Sequence, residues 1–302
     1  MAWEVSVIEW LQENMGGFGT AAAKLFSHIG GDTVTLVVLL VLIFCYRKEA
    51  GKRCAFAIIT ASMWFPMLKN IVLRLRPYME HESIRALMSA ESDAPLDDVL
   101  QQGYSFPSGH SAMAASIYGS IAMEVRKRWL WIASTVIVLL IGMSRFAVGL
   151  HYPTDVLAGW TVGILAVCFE RFLFRKVRSD RIRYAILLAV TLPGIFWCNS
   201  RDYFSALGIL AGMVIVFPYE EKYVKFRDTR NVPAMILRVT GAMIVYLALN
   251  KVLKLPFSSE YLNSGTLVPN LIRSARYAVI MFAELGVYPR IFPLFEKFGS
   301  TK

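Results

Sequence analysis

The feature that most constrains the fold is a series of apolar segments, each separated from the next by a short basic or polar loop. Hydrophobic residues make up 56% of the 302 residues and charged residues only 18%, and the mean hydropathy is +0.49. A soluble domain of this composition would expose large apolar patches to water. We therefore expect an all-α fold, a polytopic transmembrane helical bundle in which the helices satisfy their own backbone hydrogen bonds.

The apolar segments predict about nine membrane spans. They cover residues 33–46, 54–75, 111–123, 129–144, 152–169, 184–198, 203–219, 232–252 and 266–285. The last segment contains Arg273, Arg276 and Glu284, so an interfacial hairpin fits it nearly as well as a span.

We expect the chain to have three parts. Residues 1–32 contain tryptophans but no basic leader, which favours an interfacial amphipathic helix over a signal peptide. Residues 33–174 form a core bundle of spans one to five or six, with a polar outer loop at 77–106. Residues 175–302 add further transmembrane helices and a C-terminal tail.

The distribution of positive charge predicts which way the bundle faces. The formal net charge is +10, and the basic residues concentrate in four loops. Four of them lie in 47–53, three in 126–128, six in 171–183 and four in 222–230. Such clusters between apolar runs are typical of cytoplasmic loops and argue against nucleic acid as a partner. The N-terminus and the 77–106 loop are then extracytoplasmic.

A turn at residues 105–111, Ser-Phe-Pro-Ser-Gly-His-Ser, leads directly into the third span and suits an anion. A helix start exposes unpaired N–H groups and the positive end of the helix dipole, and Gly109 lets an oxyanion approach the backbone. His110 at the rim is able to give or take a proton. Ser108 fits a plain helix cap equally well, so the turn alone does not establish a site.

Ionisable residues elsewhere converge on the same outer end of the bundle. Lys69 and Arg76 are seven residues apart on span two and share a helix face. Arg145 ends span four, and His151 and Asp155 open span five at the i, i+4 spacing that lets a carboxylate reach an imidazole. Charged groups at membrane depth are costly and usually functional.

A structural interpretation also exists for these residues. Lys69 and Arg76 would then extend to the lipid headgroups, and His151 would be an interfacial ring paired with Asp155. We assign Arg74, which lies between the two cations of span two, to headgroup or loop contacts.

Three motifs follow one another along residues 69–155. They are Lys69-x6-Arg76-Pro77, Pro107-Ser108-Gly109-His110 and Ser144-Arg145-x5-His151-x3-Asp155. Together they resemble the signature motifs of the type-2 phosphatidic acid phosphatase family, whose superfamily includes glucose-6-phosphatase and the vanadium haloperoxidases. The resemblance implies a helical core, a phosphohistidine intermediate, no metal and no cofactor.

The chemistry of these side chains assigns each a role in phosphate hydrolysis. His151 attacks phosphorus, and Asp155 accepts from its other nitrogen, which fixes the tautomer. His110 protonates the leaving alkoxide and then activates water. The phosphoryl oxygens are bound by Lys69, Arg76, Arg145, Ser108 and the Gly109 N–H.

The predicted substrate is a lipid phosphate or pyrophosphate, because the site lies at headgroup level between spans. A soluble phosphate ester is the alternative, since nine spans with an outward N-terminus look more like glucose-6-phosphatase, although Asp155 matches the lipid enzymes. An anion transporter is a weaker alternative, because the chain lacks internal repeats. The expected location is the cell membrane, with an extracytoplasmic site and with membrane lipids as partners.

Overall fold

A computed structural model describes residues 2–91 and 94–298, and all of the regular structure in these residues is helical. The all-α prediction is therefore confirmed. The helices are α1 (Ala2–Asn14), α2 (Gly16–Ile29), α3 (Asp32–Val41), α4 (Lys48–Val72), α5 (Pro77–Glu80), α6 (Val99–Gln102), α7 (Gly109–Val125), α8 (Arg128–Ala147), α9 (Pro153–Lys176), α10 (Asp180–Thr191), α11 (Arg201–Tyr219), α12 (Val232–Val252), α13 (Ser259–Leu262), α14 (Leu267–Phe282) and α15 (Phe292–Phe295).

Short turns of other helix types extend some of these helices. Turns of π-helix cover Leu42–Tyr46, Glu220–Val224 and Ala283–Val287, and 3-10 turns cover Leu192–Phe196 and Tyr288–Ile291.

Six helical segments of the described residues are long and apolar enough to cross a membrane. They are Lys48–Glu80, Arg128–Ala147, Pro153–Lys176, Arg201–Val224, Val232–Val252 and Leu267–Phe295. A seventh span results if α2 and the segment Asp32–Tyr46, which meet at a bend of 50°, count as one. The chain is thus a multi-span membrane protein, and the ninth predicted segment lies within one of these helices.

The predicted count of nine spans is not confirmed. Helix α7 has 17 residues and α10 has 12, which gives lengths of about 25 Å and 18 Å against about 30 Å for a bilayer core. The apolar run at 184–198 does not continue as one helix, because a 3-10 turn containing Pro193 follows α10. Apolar composition alone did not reveal these breaks.

The described chain forms two compact units. The first comprises Met1–Thr35 and Thr60–Phe169, and the second comprises Leu36–Ile59 and Glu170–Lys302. In the second unit α11 packs along α14, and Phe44, Phe226 and Phe292 meet edge to face with ring centroids 5.0–5.5 Å apart. Such aromatic edge contacts stabilise the packing beyond the area they bury.

Close helix packing positions the 105–111 turn in the first unit. Phe65 of α4 and Ala112 of α7 are buried together with Val162 of α9. A Cβ atom on Gly159 would lie 2.5 Å from the Ser108 carbonyl oxygen, so α9 approaches the start of α7 as closely as a glycine permits. This contact holds the start of α7 against α9.

One face of the N-terminal helix α1 packs against the rest of the first unit. Ile8 is fully buried against Ile84 and Tyr152. The Gln12 amide donates to the carbonyl oxygens of Arg85 and Ala147 at 2.9 and 3.2 Å. Helix α1 is thereby joined to the polar loop and to the end of α8. The interfacial location of residues 1–32 stays a prediction.

Candidate active site

His151 lies between α8 and α9, and its ring is held by the backbone of Ser105. The Nδ1 atom is 2.8 Å from the Ser105 carbonyl oxygen. A carbonyl only accepts hydrogen bonds, so Nδ1 carries the hydrogen and Nε2 keeps its lone pair. The Nε2 atom lies 3.4 Å from Nη1 of Arg76. His151 therefore presents an unprotonated Nε2, whose lone pair faces the Arg76 guanidinium and accepts from it at this distance.

Asp155 supports this arrangement without making the hydrogen bond expected from the sequence. Its Oδ2 atom is 3.7 Å from His151 Nδ1, an ion-pair distance that is too long for a hydrogen bond. The same oxygen accepts from the Ser105 hydroxyl and, at 2.7 Å, from the Tyr152 N–H. The hydrogen bond that orients His151 is thus the one to the Ser105 carbonyl, while Asp155 supplies a nearby fixed negative charge.

Three buried cations surround the imidazole. Lys69, Arg76 and Arg145 are 6%, 3% and 2% exposed. The Lys69 ammonium donates to the Tyr104 carbonyl at 3.0 Å, and Nη1 of the Arg145 guanidinium donates to the Ser27 hydroxyl. Gathering three positive charges in a buried place favours a bound anion that offsets their repulsion.

The backbone of the polar loop fixes the position of Arg76. Its guanidinium donates to the carbonyl oxygens of Gln102, Gly103 and Leu150 at distances between 2.6 and 3.2 Å. These carbonyls come from α6, the residue after it and the segment before His151. The loop at 77–106 is therefore part of the site's framework.

His110 opens α7, and the positive charges of Arg145, Lys69 and Arg76 lie near enough to act on its ring. Its ring also lies beside the Gly30–Gly31 bend between α2 and α3. The structure thus brings His110 together with the other predicted ionisable residues.

Ser108 and Gly109 have clear structural functions in this arrangement. The Ser108 hydroxyl accepts from the N–H and the hydroxyl of Ser111, at 3.4 and 2.9 Å, and so caps α7. A Cβ atom on Gly109 would lie 2.9 Å from the Phe65 ring. Their predicted role in phosphate binding stays a prediction.

The environment of His151 determines its protonation. Burial, followed by the charges of Arg76, Arg145 and Lys69, lowers the pKa of the imidazole well below its ordinary value of 6.5, and the hydrogen bond with the Ser105 carbonyl opposes this only in part. The ring is therefore neutral at pH 7, as a nitrogen nucleophile must be.

The sequence interpretation missed four residues next to the site. They are Glu4, Arg74, Ser105 and Thr154. The expectation that Arg74 reaches headgroups or the loop is wrong, because its Nη1 atom donates to Asp155 Oδ1 at 2.9 Å. The position of Arg74 two residues before Arg76 was an available signal. Glu4 offered none, since it lies in a helix remote in sequence.

The fold and the site together define a membrane protein with a buried, cationic site that contains a neutral histidine. Comparison with known proteins identifies a family with this description. The PAP2 superfamily profile matches residues 50–179, and the profile "PAP2 superfamily phosphatase, transmembrane extension" matches residues 204–299. No solved structure matches the chain.

The chain is also similar to bacterial phosphatases that act on lipids. The chain is 36% identical to undecaprenyl-diphosphatase BcrC of Bacillus subtilis over 159 residues, which are 52% of this chain and 73% of the relative. It is 29% identical to phosphatidylglycerophosphatase B of the same organism over 185 residues, 57% of this chain and 79% of the relative. It is 27% identical to lipid A 1-phosphatase of Rhizobium johnstonii over 177 residues, 54% and 69% of the two chains.

The chain belongs to the PAP2 superfamily, and it carries that superfamily's transmembrane extension. It is a multi-span membrane phosphatase, a phosphoric monoester hydrolase. The family resemblance of the three motifs is thereby confirmed, whereas the roles of the individual residues stay predictions.

The geometry around His151 predicts a distinctive imidazole spectrum. The chain has four histidines, so ¹⁵N NMR of histidine-labelled protein in detergent, with the His151 signals assigned from a His151→Gln variant, resolves this ring. We expect a neutral ring protonated at Nδ1 that remains neutral below pH 6.5, because burial and three cations disfavour the imidazolium. An Nε2–H tautomer, or titration at or above pH 6.5, would contradict the geometry.

Proposed function

We propose that the protein hydrolyses a lipid phosphate monoester or pyrophosphate through a phosphohistidine on His151, without a metal ion and on the extracytoplasmic side of the cell membrane. The observation that carries the proposal is the pairing of His151 Nδ1 with the Ser105 carbonyl, which leaves Nε2 unprotonated, with its lone pair facing Arg76. The names of the relatives support the lipid class, since they denote phosphatases of phosphatidylglycerophosphate, undecaprenyl diphosphate and lipid A.

The first chemical step transfers the phosphoryl group to the enzyme. The Nε2 lone pair of His151 attacks phosphorus in line, the N–P bond forms and the bond from phosphorus to the leaving oxygen breaks. The leaving oxygen takes a proton from His110. The ring of His151 gains positive charge in this step, and the Asp155 carboxylate at 3.7 Å stabilises it.

The second step releases inorganic phosphate. His110, now neutral, removes a proton from water as the water oxygen attacks phosphorus, and the N–P bond breaks with its electron pair returning to Nε2. The negative charge of the bound phosphoryl group offsets the three cations around His110 and so favours the protonated ring that the first step requires.

The cations Lys69, Arg76 and Arg145 perform the electrostatic work at phosphorus in this mechanism. The three side chains are buried and are held by hydrogen-bond acceptors before the reaction begins. They neutralise the negative charge that develops on the phosphoryl oxygens. Preorganised donors of this kind cost no reorganisation during the reaction. A divalent cation is not needed to supply that charge.

Loop charge supports the proposed sidedness. The four basic loops lie at one end of the predicted spans, and the 77–106 loop, whose carbonyls hold Arg76, lies at the other. By the positive-inside rule the basic loops are cytoplasmic. A substrate headgroup exposed on the outer leaflet would then reach the site without crossing the membrane.

Purified protein should release phosphate from lipid phosphates and pyrophosphates in the presence of EDTA, because three side-chain cations replace a metal ion. The assay compares these lipids with water-soluble phosphate monoesters at matched concentrations. His110→Ala, assayed in parallel, should lose about 10²- to 10⁴-fold on the lipids. The loss should be smaller on p-nitrophenyl phosphate, whose leaving group needs no proton.

Two results of that assay would count against the proposal. Turnover that EDTA abolishes and magnesium restores would contradict metal independence. A preference for soluble monoesters over every lipid tested would replace the lipid substrate with a soluble one.

Sidedness is measured by thiol labelling of intact cells. In a background with the exposed Cys168 changed to serine, Leu96→Cys in the outer loop should react with an impermeant maleimide. Ser179→Cys, in a basic loop, should react only after permeabilisation. The reverse pattern would place the site on the cytoplasmic side.

A further inference from the structure

Arg74 holds the carboxylate that faces His151. Its Nη1 atom donates to Asp155 Oδ1 at 2.9 Å and to the Thr154 hydroxyl at 2.8 Å. Its guanidinium also stacks over the Tyr152 ring, 3.7 Å from the centroid. Asp155 thus has one oxygen on Arg74 and the other on the Ser105 hydroxyl and the Tyr152 N–H. Both carboxylate oxygens of Asp155 are therefore held by hydrogen bonds.

Arg74 is in turn held by Glu4 of the N-terminal helix. Glu4 is fully buried, and its Oε2 atom accepts from Arg74 Nη2 at 2.8 Å. Its Oε1 atom accepts from the backbone N–H and the hydroxyl of Thr154, at 3.1 and 2.5 Å. A carboxylate is costly to bury, and this one is satisfied on both oxygens by groups next to Asp155.

We infer that Glu4 is a positioning residue which, through Arg74, keeps the charge of Asp155 available to His151. With Asp155 as its single carboxylate partner, Arg74 would form a neutral pair with it. Glu4 adds a second negative charge, so Glu4, Arg74 and Asp155 together carry one net negative charge. That charge is what the imidazole of His151 requires when it becomes positive on attack at phosphorus.

The inference rests on the proposed function, because it explains how the developing charge on His151 is stabilised. It adds that the N-terminal helix is part of the catalytic apparatus, although Glu4 touches neither His151 nor the substrate. The effect should therefore appear in the rate of phosphoryl transfer and not in substrate affinity, since Lys69, Arg76 and Arg145 remain in place.

The central variant is Glu4→Gln, which keeps the shape of the side chain and removes its charge. We expect kcat to fall roughly 10- to 100-fold, by analogy with the loss of a residue that orients a metal ligand, with KM unchanged within about twofold. Glu4→Asp, which keeps the charge, should retain more activity than Glu4→Gln. Glu13→Gln, an exposed carboxylate on the same helix, is the matched control and should behave as wild type.

The double variant Glu4→Gln/Arg74→Gln separates charge from folding. It restores one net negative charge on Asp155, so it should be more active than Glu4→Gln alone, a non-additive result expected of residues in one network. A role limited to folding predicts instead that the double variant is at least as impaired as the worse single one. If Glu4→Gln alone does not fold, the double variant carries the test, and background activity in a folded double variant would overturn the inference.

Failure of this inference is distinguishable from failure of the proposed function. Wild-type protein is first tested for a trapped phosphohistidine, whose absence would contradict the proposed function. If the wild type is labelled and folded Glu4→Gln is labelled at the same rate, the role of Glu4 is overturned while the mechanism stands. Multiplicative losses in the double variant would overturn it as well.

Discussion

The hydrogen bond from His151 to the Ser105 carbonyl is the interaction on which the rest of the site depends. It fixes which nitrogen carries the hydrogen, and so which nitrogen has a lone pair to offer phosphorus. The acceptor belongs to the turn before α7, whereas the histidine lies before α9. The distance between these two segments is set by the close approach of Gly159 to the Ser108 carbonyl. Helix packing is therefore what places His151 beside its acceptor.

A second constraint is the cost of burying charge. Lys69, Arg76 and Arg145 each donate to a carbonyl or hydroxyl oxygen, which holds the side chain in place and leaves its positive charge available. Arg74 differs, because it forms ion pairs with two carboxylates, Glu4 and Asp155, which neutralise its positive charge. The three cations that we propose bind phosphate thus have neutral oxygen partners, whereas Arg74 contacts the carboxylates of Glu4 and Asp155.

Much of this organisation could be predicted from the sequence, and the rest depended on three-dimensional packing. Apolar runs predict membrane helices because a bilayer admits little else, and the spacing of His151 and Asp155 predicts their proximity. The predicted count of nine spans is not confirmed, because composition does not show that the helix at 184–198 is interrupted by the turn containing Pro193. The partner of His151 Nδ1 was misassigned because a backbone acceptor leaves no trace in residue identity.

The central claim is that His151 carries the phosphoryl group, and the direct measurement is rapid-quench trapping of the phosphoenzyme. Wild-type, His151→Ala and His110→Ala proteins are mixed with a ³²P-labelled lipid phosphate and quenched into alkaline detergent, in which phosphohistidine is stable. The mechanism predicts transient label on the wild type, persistent label on His110→Ala because water then lacks its base, and none on His151→Ala. Label on folded His151→Ala, or no label on an active wild type, would contradict it.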